Sequence, residues 1–388
     1  MKYLAVLGRQ PEISIAELEA QGFSIVENGS CPNSFFSGAA PKAIAQVLGP
    51  SKKEFRPPVS KSIAPPVDIK RFGGVLKLAI ELEQKPLEYL QSLSEGKITI
   101  GVSDYSKNAS RRTASSEALK LKKILVRHGR SVRVVENKEA VLSTATSLHN
   151  GLGGKNERKV EFIKVNDEWF RVIGVQDIEA YAKRDQVRPA RDAKVGMLPP
   201  KLAQILINLC GPLAPGSVVL DPFCGTGVVL QEALLMGYGA YGTDINERMV
   251  SYSKKNLDYF KFKDYEVEVG DATSFEWKKP INAVACEGYL GRPFSKIPSE
   301  VELKEQKQEC KTIILGFLNN LSSQIKNDTP VTLAAPAWLR ENGEYERLDI
   351  LDEIRDMGYN VNNKTQEGLF YHREGQIVAR DIIILRKK

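Results

Sequence analysis

The second half of this chain, residues 196–388, alternates short apolar strands with helices, and this alternation restricts the fold more than any other feature. The predicted strands include SVVLD, AYGTD, EVEVGD and INAVACE, and helical segments separate most of them. Alternation of this kind produces βα units on a mainly parallel sheet whose two faces are covered by helices. We therefore predict an α/β domain over residues 196–388.

An acid and two glycines follow the first of these strands. In VLDPFCGTGVVL, Asp221 ends the strand, and Gly225 and Gly227 precede the next helix. Ligands of a parallel sheet bind beyond the carboxyl ends of its strands. A phosphate is disfavoured because Asp221 would repel it, and the signatures of P-loop and dinucleotide sites are absent.

A cationic ligand, S-adenosylmethionine (SAM), suits this turn better. Asp221 can hold the ammonium group of SAM, while Gly225 and Gly227 let the backbone approach the ligand. Asp244 ends the second strand and can accept from the ribose hydroxyls; Asp271 ends the third and can accept from the adenine amine. For each acid alone the alternative is an N-cap, above all for Asp271.

The positive charge of the chain lies in its first half. The net charge is +7 overall, +10 in residues 1–195 and −3 in residues 196–388. Between Lys107 and Arg133, nine basic residues accompany one acid, Glu117. If these side chains share a helix face, they form a surface for RNA or DNA; a solvated, lysine-rich helix is the alternative.

The first half also predicts mixed α and β structure. It begins with a strand at Tyr3–Leu7 and a helix in PEISIAELEA, where Ser14 and Glu17 have capping-box spacing. A second helix is predicted from Pro41 to Gly49, and the proline-rich SKKEFRPPVSKSIAPPVD predicts an exposed connection.

A compact α+β unit is predicted after this connection. Its strands are GVLKLAIEL, KITIGVS, SVRVVE and the hairpin VEFIKV–WFRVIGV. Its helices are predicted from Thr113 to His128, which includes four of the nine basic residues, and from Lys138 to His149.

Composition excludes several classes of protein. No apolar run is long enough to cross a membrane, and the start MKYLAVLGRQPEIS lacks the features of a secretion signal, so we expect a cytoplasmic protein without a membrane partner. The five cysteines are scattered and form no CxxC pair. We therefore expect neither a disulfide framework nor a metal site.

One family resemblance covers essentially the whole chain. DPFCGTG, preceded by RDQVRPARDAKVGMLPPKLAQILINL and followed by YGTDIN, resembles the THUMP-domain tRNA guanosine N2-methyltransferase family. MKYLAVLGRQPEISIAELEA is similar to the ferredoxin-like domain of that family, and GVSDYS with its basic helix resembles the THUMP module. DPFCGTG alone is less specific, because many amino-methyltransferases of RNA and DNA contain it.

The resemblance implies a domain order and a reaction. It implies a ferredoxin-like domain at 1–70, a THUMP-like RNA-binding domain at 71–177, a basic linker at 178–195 and a seven-stranded, Rossmann-like methyltransferase domain at 196–388. It also implies SAM-dependent methylation of a guanine N2 amine, at position ten of tRNA, in the cytoplasm. We expect a monomer, and the sequence leaves open whether a small activator protein is required.

The predicted contacts fall into two sets. The cofactor set is Asp221, Pro222, Gly225, Thr226, Gly227, Asp244 and Asp271. The RNA set is Lys107, Arg111, Arg112, Lys120, Lys123, Arg127, Arg188 and Arg191. For Arg188 and Arg191, pairing with neighbouring aspartates is the alternative to a phosphate contact.

The catalytic motif departs from the family pattern. The family has Asp-Pro-Pro-Tyr after the fourth strand, whereas this chain has CEGYLG. We predict that Glu287 replaces the aspartate as acceptor of the amine hydrogens and that Tyr289 stacks on the base. Gly288 is expected to give the loop a different path and more conformational freedom than proline would.

Two alternatives to this function stay open at the level of sequence. In the first, the catalytic centre has decayed and the chain binds RNA without modifying it. In the second, the enzyme methylates an adenine or cytosine amine in RNA or DNA. Structured RNA is favoured over DNA because the basic module suits recognition through shape and phosphates.

Overall fold

The computed structural model describes residues 2–30, 43–48, 68–191 and 198–388. The chain divides into two compact units, Met1–Tyr181 and Ala182–Lys388. Within the described ranges, no helix combines the length and the apolar character needed to cross a membrane. The predicted proline-rich connection lies, up to residue 67, outside the described residues.

The described part of the first unit contains one mixed sheet, in which some strand pairs are antiparallel and others parallel. Its strands are β1 (Lys2–Leu7), β2 (Ser24–Ser30), β3 (Ala43–Leu48), β4 (Val75–Glu81), β5 (Ile98–Asp104), β6 (Val132–Val134), β7 (Lys159–Val165) and β8 (Glu168–Val175). Their order is β2-β3-β1-β4-β8-β7-β5-β6. Because β4 pairs with β1 and with β8, the sheet continues across residue 70. The division into domains at 1–70 and 71–177 stays a prediction.

Helices accompany this sheet. They are α1 (Pro11–Ala20), α2 (Pro86–Gln91), α3 (Arg111–Arg127), α4 (Thr144–His149) and α5 (Ile178–Gln186). The boundary between the two units falls inside α5, so part of the segment 178–195 predicted as a linker is helical.

Two predictions near the N-terminus were wrong. The helix α1 begins at Pro11, before the predicted cap, and Ser14 and Glu17 are buried instead. Ser14 Oγ donates to Gly74 O at 3.0 Å, and the Glu17 carboxylate accepts from the backbone N–H groups of Gly73 and Gly74 at 2.9 and 2.8 Å. The pair therefore fastens the chain before β4 to α1 rather than capping a helix.

The second error is the helix predicted from Pro41 to Gly49. The described part of this segment, Ala43–Leu48, is strand β3, which pairs with β1 on one side and β2 on the other. The apolar residues of AIAQVL suit either structure, and two available strand partners decide for the sheet.

The helices around the basic segment have different bounds from those predicted. Helix α3 starts at Arg111 because Ser110 and Thr113 form a capping box. Helix α4 starts only at Thr144, after the N-cap Ser143. Upstream of it, Asn137 donates its side-chain amide to Val102 O at 2.8 Å, which holds the chain in a non-helical path.

The second unit contains the predicted α/β sheet. Its described strands are β9 (Val218–Asp221), β10 (Gly239–Asp244), β11 (Tyr265–Val269), β12 (Ala283–Glu287), β13 (Pro330–Leu339), β14 (Tyr345–Arg347), β15 (Tyr359–Val361), β16 (Phe370–Tyr371) and β17 (Val378–Lys387). The main order is β11-β10-β9-β12-β13-β17-β15, with β14 on β13 and β16 on β17. β9 to β13 are parallel, and β17 is antiparallel to β13. The α/β prediction and its seven principal strands are confirmed.

Helices connect and cover these strands. They are α6 (Pro200–Leu209), α7 (Val228–Leu235), α8 (Glu247–Tyr259), α9 (Glu300–Ser322), α10 (Leu351–Asp356) and α11 (Asn363–Glu367). The apolar residues of β9, β12 and β13 pack with α9 in one buried cluster that includes Leu220, Val284, Cys286, Leu333 and Phe317. This packing fixes where the carboxyl ends of β9 and β12 lie. It therefore also fixes the positions of the residues that follow these strands.

Candidate active site

Two acids flank the point at which the strand order of the second unit reverses. β9 has β10 on one side and β12 on the other, so successive βα units leave this point in opposite directions. Asp221 ends β9 and Glu287 ends β12. A crevice opens at such a switch point beyond the carboxyl ends of the strands, and ligands bind there.

Asp221 is a buried carboxylate with other acids nearby. Its side chain accepts from Phe223 N at 3.2 Å, and the residue is 2% exposed. Burial raises the pKa of Asp221 well above its ordinary value, and the charges of Asp244 and Glu287 raise it further. Because negative charge is concentrated and poorly hydrated here, the crevice suits a cationic ligand.

The two glycines of the following loop have different surroundings. Gly225 has φ of +49°, and a Cβ placed on it would meet only Phe223 O, at 4.0 Å, so its Cα faces open space. Gly227 has φ of +82°, and a Cβ there would lie 2.9 Å from Ser253 Oγ on α8. Gly225 therefore leaves room above the loop, whereas Gly227 is required for packing and for the left-handed start of α7.

The acid at the end of β10 holds this loop. Asp244 Oδ2 accepts from Gly225 N and Oδ1 accepts from Asn246 N, both at 2.9 Å. Burial raises the pKa of Asp244. Asp271 is exposed, and its Oδ1 accepts from Thr273 N at 2.9 Å in a turn that no helix follows before β12, so its contact with the adenine amine stays a prediction.

The sequence prediction missed Ile245, which follows Asp244 directly. Its side chain is 72% exposed at the carboxyl end of β10. An exposed apolar side chain next to the acid at a ligand edge can cover the flat face of an aromatic ligand group. The signal available in the sequence was an apolar residue placed immediately after an acid that ends a strand.

Arg188 also contacts the loop, and it pairs with a neighbouring aspartate, which was the alternative to the phosphate contact predicted for it. Arg188 is 3% exposed, and its guanidinium donates to Thr226 Oγ1 at 3.2 Å and to Asp185 at 3.4 Å. Burial lowers the pKa of Arg188. A side chain at this depth supports the glycine loop and does not present a surface to phosphate. Arg191 is exposed, and Pro222 is buried.

Glu287, the predicted acceptor, forms an ion pair. Arg380 Nε on β17 donates to Glu287 Oε1 at 2.5 Å, and the two side chains are 9% and 19% exposed. The motif that follows is tied to the sheet and to α9. Gly288 N donates to Ala334 O at 3.0 Å, which extends the pairing of β12 with β13 by one residue.

Tyr289, the predicted base platform, contacts α9. Its hydroxyl donates to Glu309 Oε1 at 3.0 Å, and its ring packs against the buried cluster of the second unit. Burial and the bond to Glu309 raise the pKa of Tyr289 to about 12. Gln306 accepts from Arg292 N at 3.0 Å, so two residues of α9 hold the loop. The loop is thus fastened at three places, contrary to the greater freedom expected of Gly288.

Replacing Gly288 by proline, the residue of the family motif, is expected to destabilise the protein and to reduce rather than restore activity. Proline has no N–H to donate to Ala334 O, and a Cβ at this position would lie 2.8 Å from Leu333 Cδ1. We expect a loss of about 1–3 kcal/mol in the free energy of unfolding, because the buried Ala334 carbonyl is left without its donor. Thermal unfolding of Gly288→Pro beside Gly288→Ala checks this; a proline variant as stable as wild type would contradict the packing.

The basic residues of α3 form one exposed stripe. Arg112, Lys120, Lys123 and Arg127 are exposed and recur at helical spacing with Ser116 between the first two. We call these four side chains the α3 stripe. Lys107 and Arg111 are exposed at the start of the helix, where Arg111 pairs with Glu136 at 2.9 Å.

Comparisons with known proteins identify relatives. A family model described as a methyltransferase domain matches residues 213–341, and one described as a DNA methylase matches residues 102–255. The tRNA (guanine(10)-N2)-dimethyltransferase of Pyrococcus abyssi is 42% identical over 194 residues, 49% of this chain and 50% of that protein. That of Methanothermobacter thermautotrophicus is 34% identical over 144 residues, 37% of this chain and 40% of that protein. The probable tRNA (guanine(10)-N2)-dimethyltransferase of Methanothermococcus thermolithotrophicus is 32% identical over 140 residues, 35% of this chain and 79% of that protein.

The strand order, the switch point and the acid-and-glycine loop define the second unit as a Rossmann-like methyltransferase domain. The Methanothermococcus protein is 32% identical to this chain, which covers 79% of its length, and this similarity identifies the family. The chain belongs to the tRNA (guanine(10)-N2)-dimethyltransferase family. It spans half or less of the length of the Pyrococcus and Methanothermobacter relatives.

Proposed function

We propose that this protein is a SAM-dependent tRNA methyltransferase that methylates the N2 amine of a guanosine, at position ten of tRNA as the names of its relatives state. The observation that carries the proposal is the switch point, where a buried carboxylate, an open glycine and a second acid lie together in a chain of this family. The predicted cytoplasmic location accords with such a substrate.

The residues of the crevice fit SAM. The carboxyl group of Asp221 is buried, and burial together with the charges of Asp244 and Glu287 raises its pKa. SAM carries an ammonium and a sulfonium, and when bound it supplies an electrophilic methyl group. Asp221 would hold the ammonium, Asp244 the ribose hydroxyls and Ile245 the adenine face, while Gly225 leaves the space that the ligand needs.

Glu287 supplies what the acceptor amine requires. The amine of guanine is a poor nucleophile because its lone pair is delocalised into the ring. A carboxylate that accepts its hydrogen bonds orients the lone pair and stabilises the positive charge that develops on nitrogen. Glu287 lies at the end of β12, across the switch point from Asp221, where such a contact and the cofactor meet. Exclusion of water and alignment of the reacting atoms provide the rest of the rate acceleration.

The first unit would bind the tRNA. The α3 stripe with Lys107 and Arg111 supports contacts to phosphates, because cationic side chains at helical spacing follow a phosphate backbone and release its counterions. Recognition by charge and shape, without base contacts, suits folded RNA. Arg191, exposed at the start of the second unit, is included as a predicted phosphate contact.

Replacing Lys120, Lys123 and Arg127 by glutamine is expected to weaken tRNA binding and to reduce the slope of log K against log salt by about two to three. A matched control is the replacement of Lys85, Lys97 and Lys155, which are exposed in the same unit but lie outside α3 and change the net charge equally. Fluorescence anisotropy over a salt series measures both. If the two triple variants lose equal tRNA affinity, α3 is not part of the surface that binds tRNA.

A second candidate is an amino-methyltransferase of DNA. The DNA methylase model, which matches residues 102–255, favours it. The decisive experiment is transfer from labelled SAM to unmodified tRNA and to duplex DNA by the purified chain, with the product nucleosides identified by mass. N2-methylated guanosine supports the proposal, methylated adenine or cytosine in DNA supports the second candidate, and binding of tRNA and SAM without transfer supports the non-catalytic alternative.

A further inference from the structure

Arg380 lies two strands away from the acid that it contacts. β13 separates β17 from β12; the register places Glu287 beside Ala334, and Arg380 beside Pro336. The guanidinium nevertheless reaches Glu287 Oε1, from a position 93 residues later in the chain. The side chain of Arg380 must therefore span β13 to make this bond.

This ion pair lies in a charged and largely buried setting. Arg380 is 7% exposed, and an arginine so placed is costly unless a carboxylate neutralises it. The charge of Glu287 also contributes to the raised pKa of Asp221 on the neighbouring strand. Arg380 offsets one of these charges while leaving the pocket around Asp221 negative for a cation.

The pair also engages only part of the Glu287 carboxylate. Among the described residues, Arg380 donates to Oε1 of this carboxylate, which leaves Oε2 to accept from a substrate amine. Glutamate has one more rotatable bond than the aspartate of the family motif, and ordering it costs more conformational entropy. A fixed partner removes that freedom before substrate arrives.

We propose that Arg380 is a positioning residue: by binding Oε1 it fixes the glutamate so that Oε2 faces the acceptor amine, which compensates for the longer side chain at this position. The inference rests on the proposed function, because it assigns Arg380 a role through Glu287. It predicts that the two side chains act as one unit in catalysis and in the stability of the unliganded protein.

A double-mutant cycle tests this coupling. Wild type, Arg380→Gln, Glu287→Gln and the double variant are compared in single-turnover methyl transfer to tRNA with saturating SAM. Arg380→Gln is expected to slow transfer by about 10- to 100-fold, by analogy with the loss of a residue that orients a metal ligand. The double variant is expected to be no slower than Glu287→Gln, and Arg380→Lys to recover part of the rate.

Measurements that do not depend on activity accompany the cycle. Thermal unfolding of the four unliganded proteins should show non-additive losses, because the residues are in contact. The KM for tRNA and the Kd for SAM of Arg380→Gln should stay within about threefold of wild type, since a positioning role acts after binding. Arg347→Gln is the matched control: Arg347 pairs with Asp381, the next residue of β17, at 2.7 Å, and does not contact Glu287.

The outcomes separate the inference from the proposed function. If rate losses in the two single variants multiply in the double variant, or if Arg347→Gln slows transfer as much as Arg380→Gln, the positioning role is overturned. If Glu287→Gln transfers methyl groups at the wild-type rate, Glu287 has no catalytic role. The positioning role of Arg380 is then overturned with it. A slow Glu287→Gln beside an unimpaired Arg380→Gln would overturn the inference and leave the proposed function intact.

Discussion

Glu287→Gln is expected to reduce methyl transfer to tRNA by about 10²- to 10³-fold, with SAM binding retained. The amide presents an N–H2 group where the carboxylate would accept, so the substrate amine loses its acceptor and its orientation. Loss of a negative charge beside Asp221 should also lower the pKa of Asp221, which leaves more of it ionised and does not weaken the binding of a cation.

The measurement is the single-turnover rate, with SAM affinity from calorimetry and thermal unfolding as controls. Glu305→Gln provides a matched variant, because Glu305 is an exposed carboxylate on α9 outside the switch point. A Glu287→Gln enzyme with the rate of the Glu305→Gln enzyme would show that the acceptor is another group.

Asp221→Asn is expected to weaken SAM binding by about 30-fold or more, because removing one partner of a buried charge pair costs about 2–5 kcal/mol. Without SAM the same variant is expected to be more stable than wild type at neutral pH. The pKa of Asp221 is raised in the folded protein, so folding favours its protonated form. That stabilisation is present below the unfolded-state pKa and is lost as pH rises through the raised folded-state pKa.

Two pH series check this prediction. The melting temperature of unliganded wild type should fall, relative to Asp221→Asn, as pH rises through the folded-state pKa of Asp221. The affinity of wild type for SAM should increase over the same range, because the ionised carboxylate binds the cation and protons are released. An asparagine variant that binds SAM as tightly as wild type at every pH would remove Asp221 from the cofactor site.

Local patterns in the sequence predicted much of the site. The switch point follows from the strand and helix alternation, since acids that end parallel strands must meet at one edge. Asp221, Asp244 and Gly225 were placed at this edge in this way, and their contacts with SAM stay a prediction. Short-range spacing was less informative where the same spacing occurs in two kinds of structure. Ser14 and Glu17 have capping-box spacing but bind the backbone at Gly73 and Gly74. The segment predicted as a helix from Pro41 is strand β3 in its described part.

Tertiary structure decided what the charged groups do. Arg188 was predicted to contact phosphate, with pairing to a neighbouring aspartate as the alternative, and the fold buries it with bonds to Thr226 and Asp185. It predicted a loosened loop at Gly288, whereas β13 and α9 hold that loop through Ala334, Gln306 and Glu309. Each of these partners lies on another element, and nothing in the local sequence specifies it.

The sequence by itself thus determined the α/β class, the acidic edge and the place of Glu287 at the end of a strand, because periodicity and strand ends are properties of neighbouring residues. Only the tertiary structure decided that Glu287 is paired and by which group. Its partner Arg380 is 93 residues away, and the contact exists because β17 lies antiparallel to β13 at a register that the packing of the whole sheet sets.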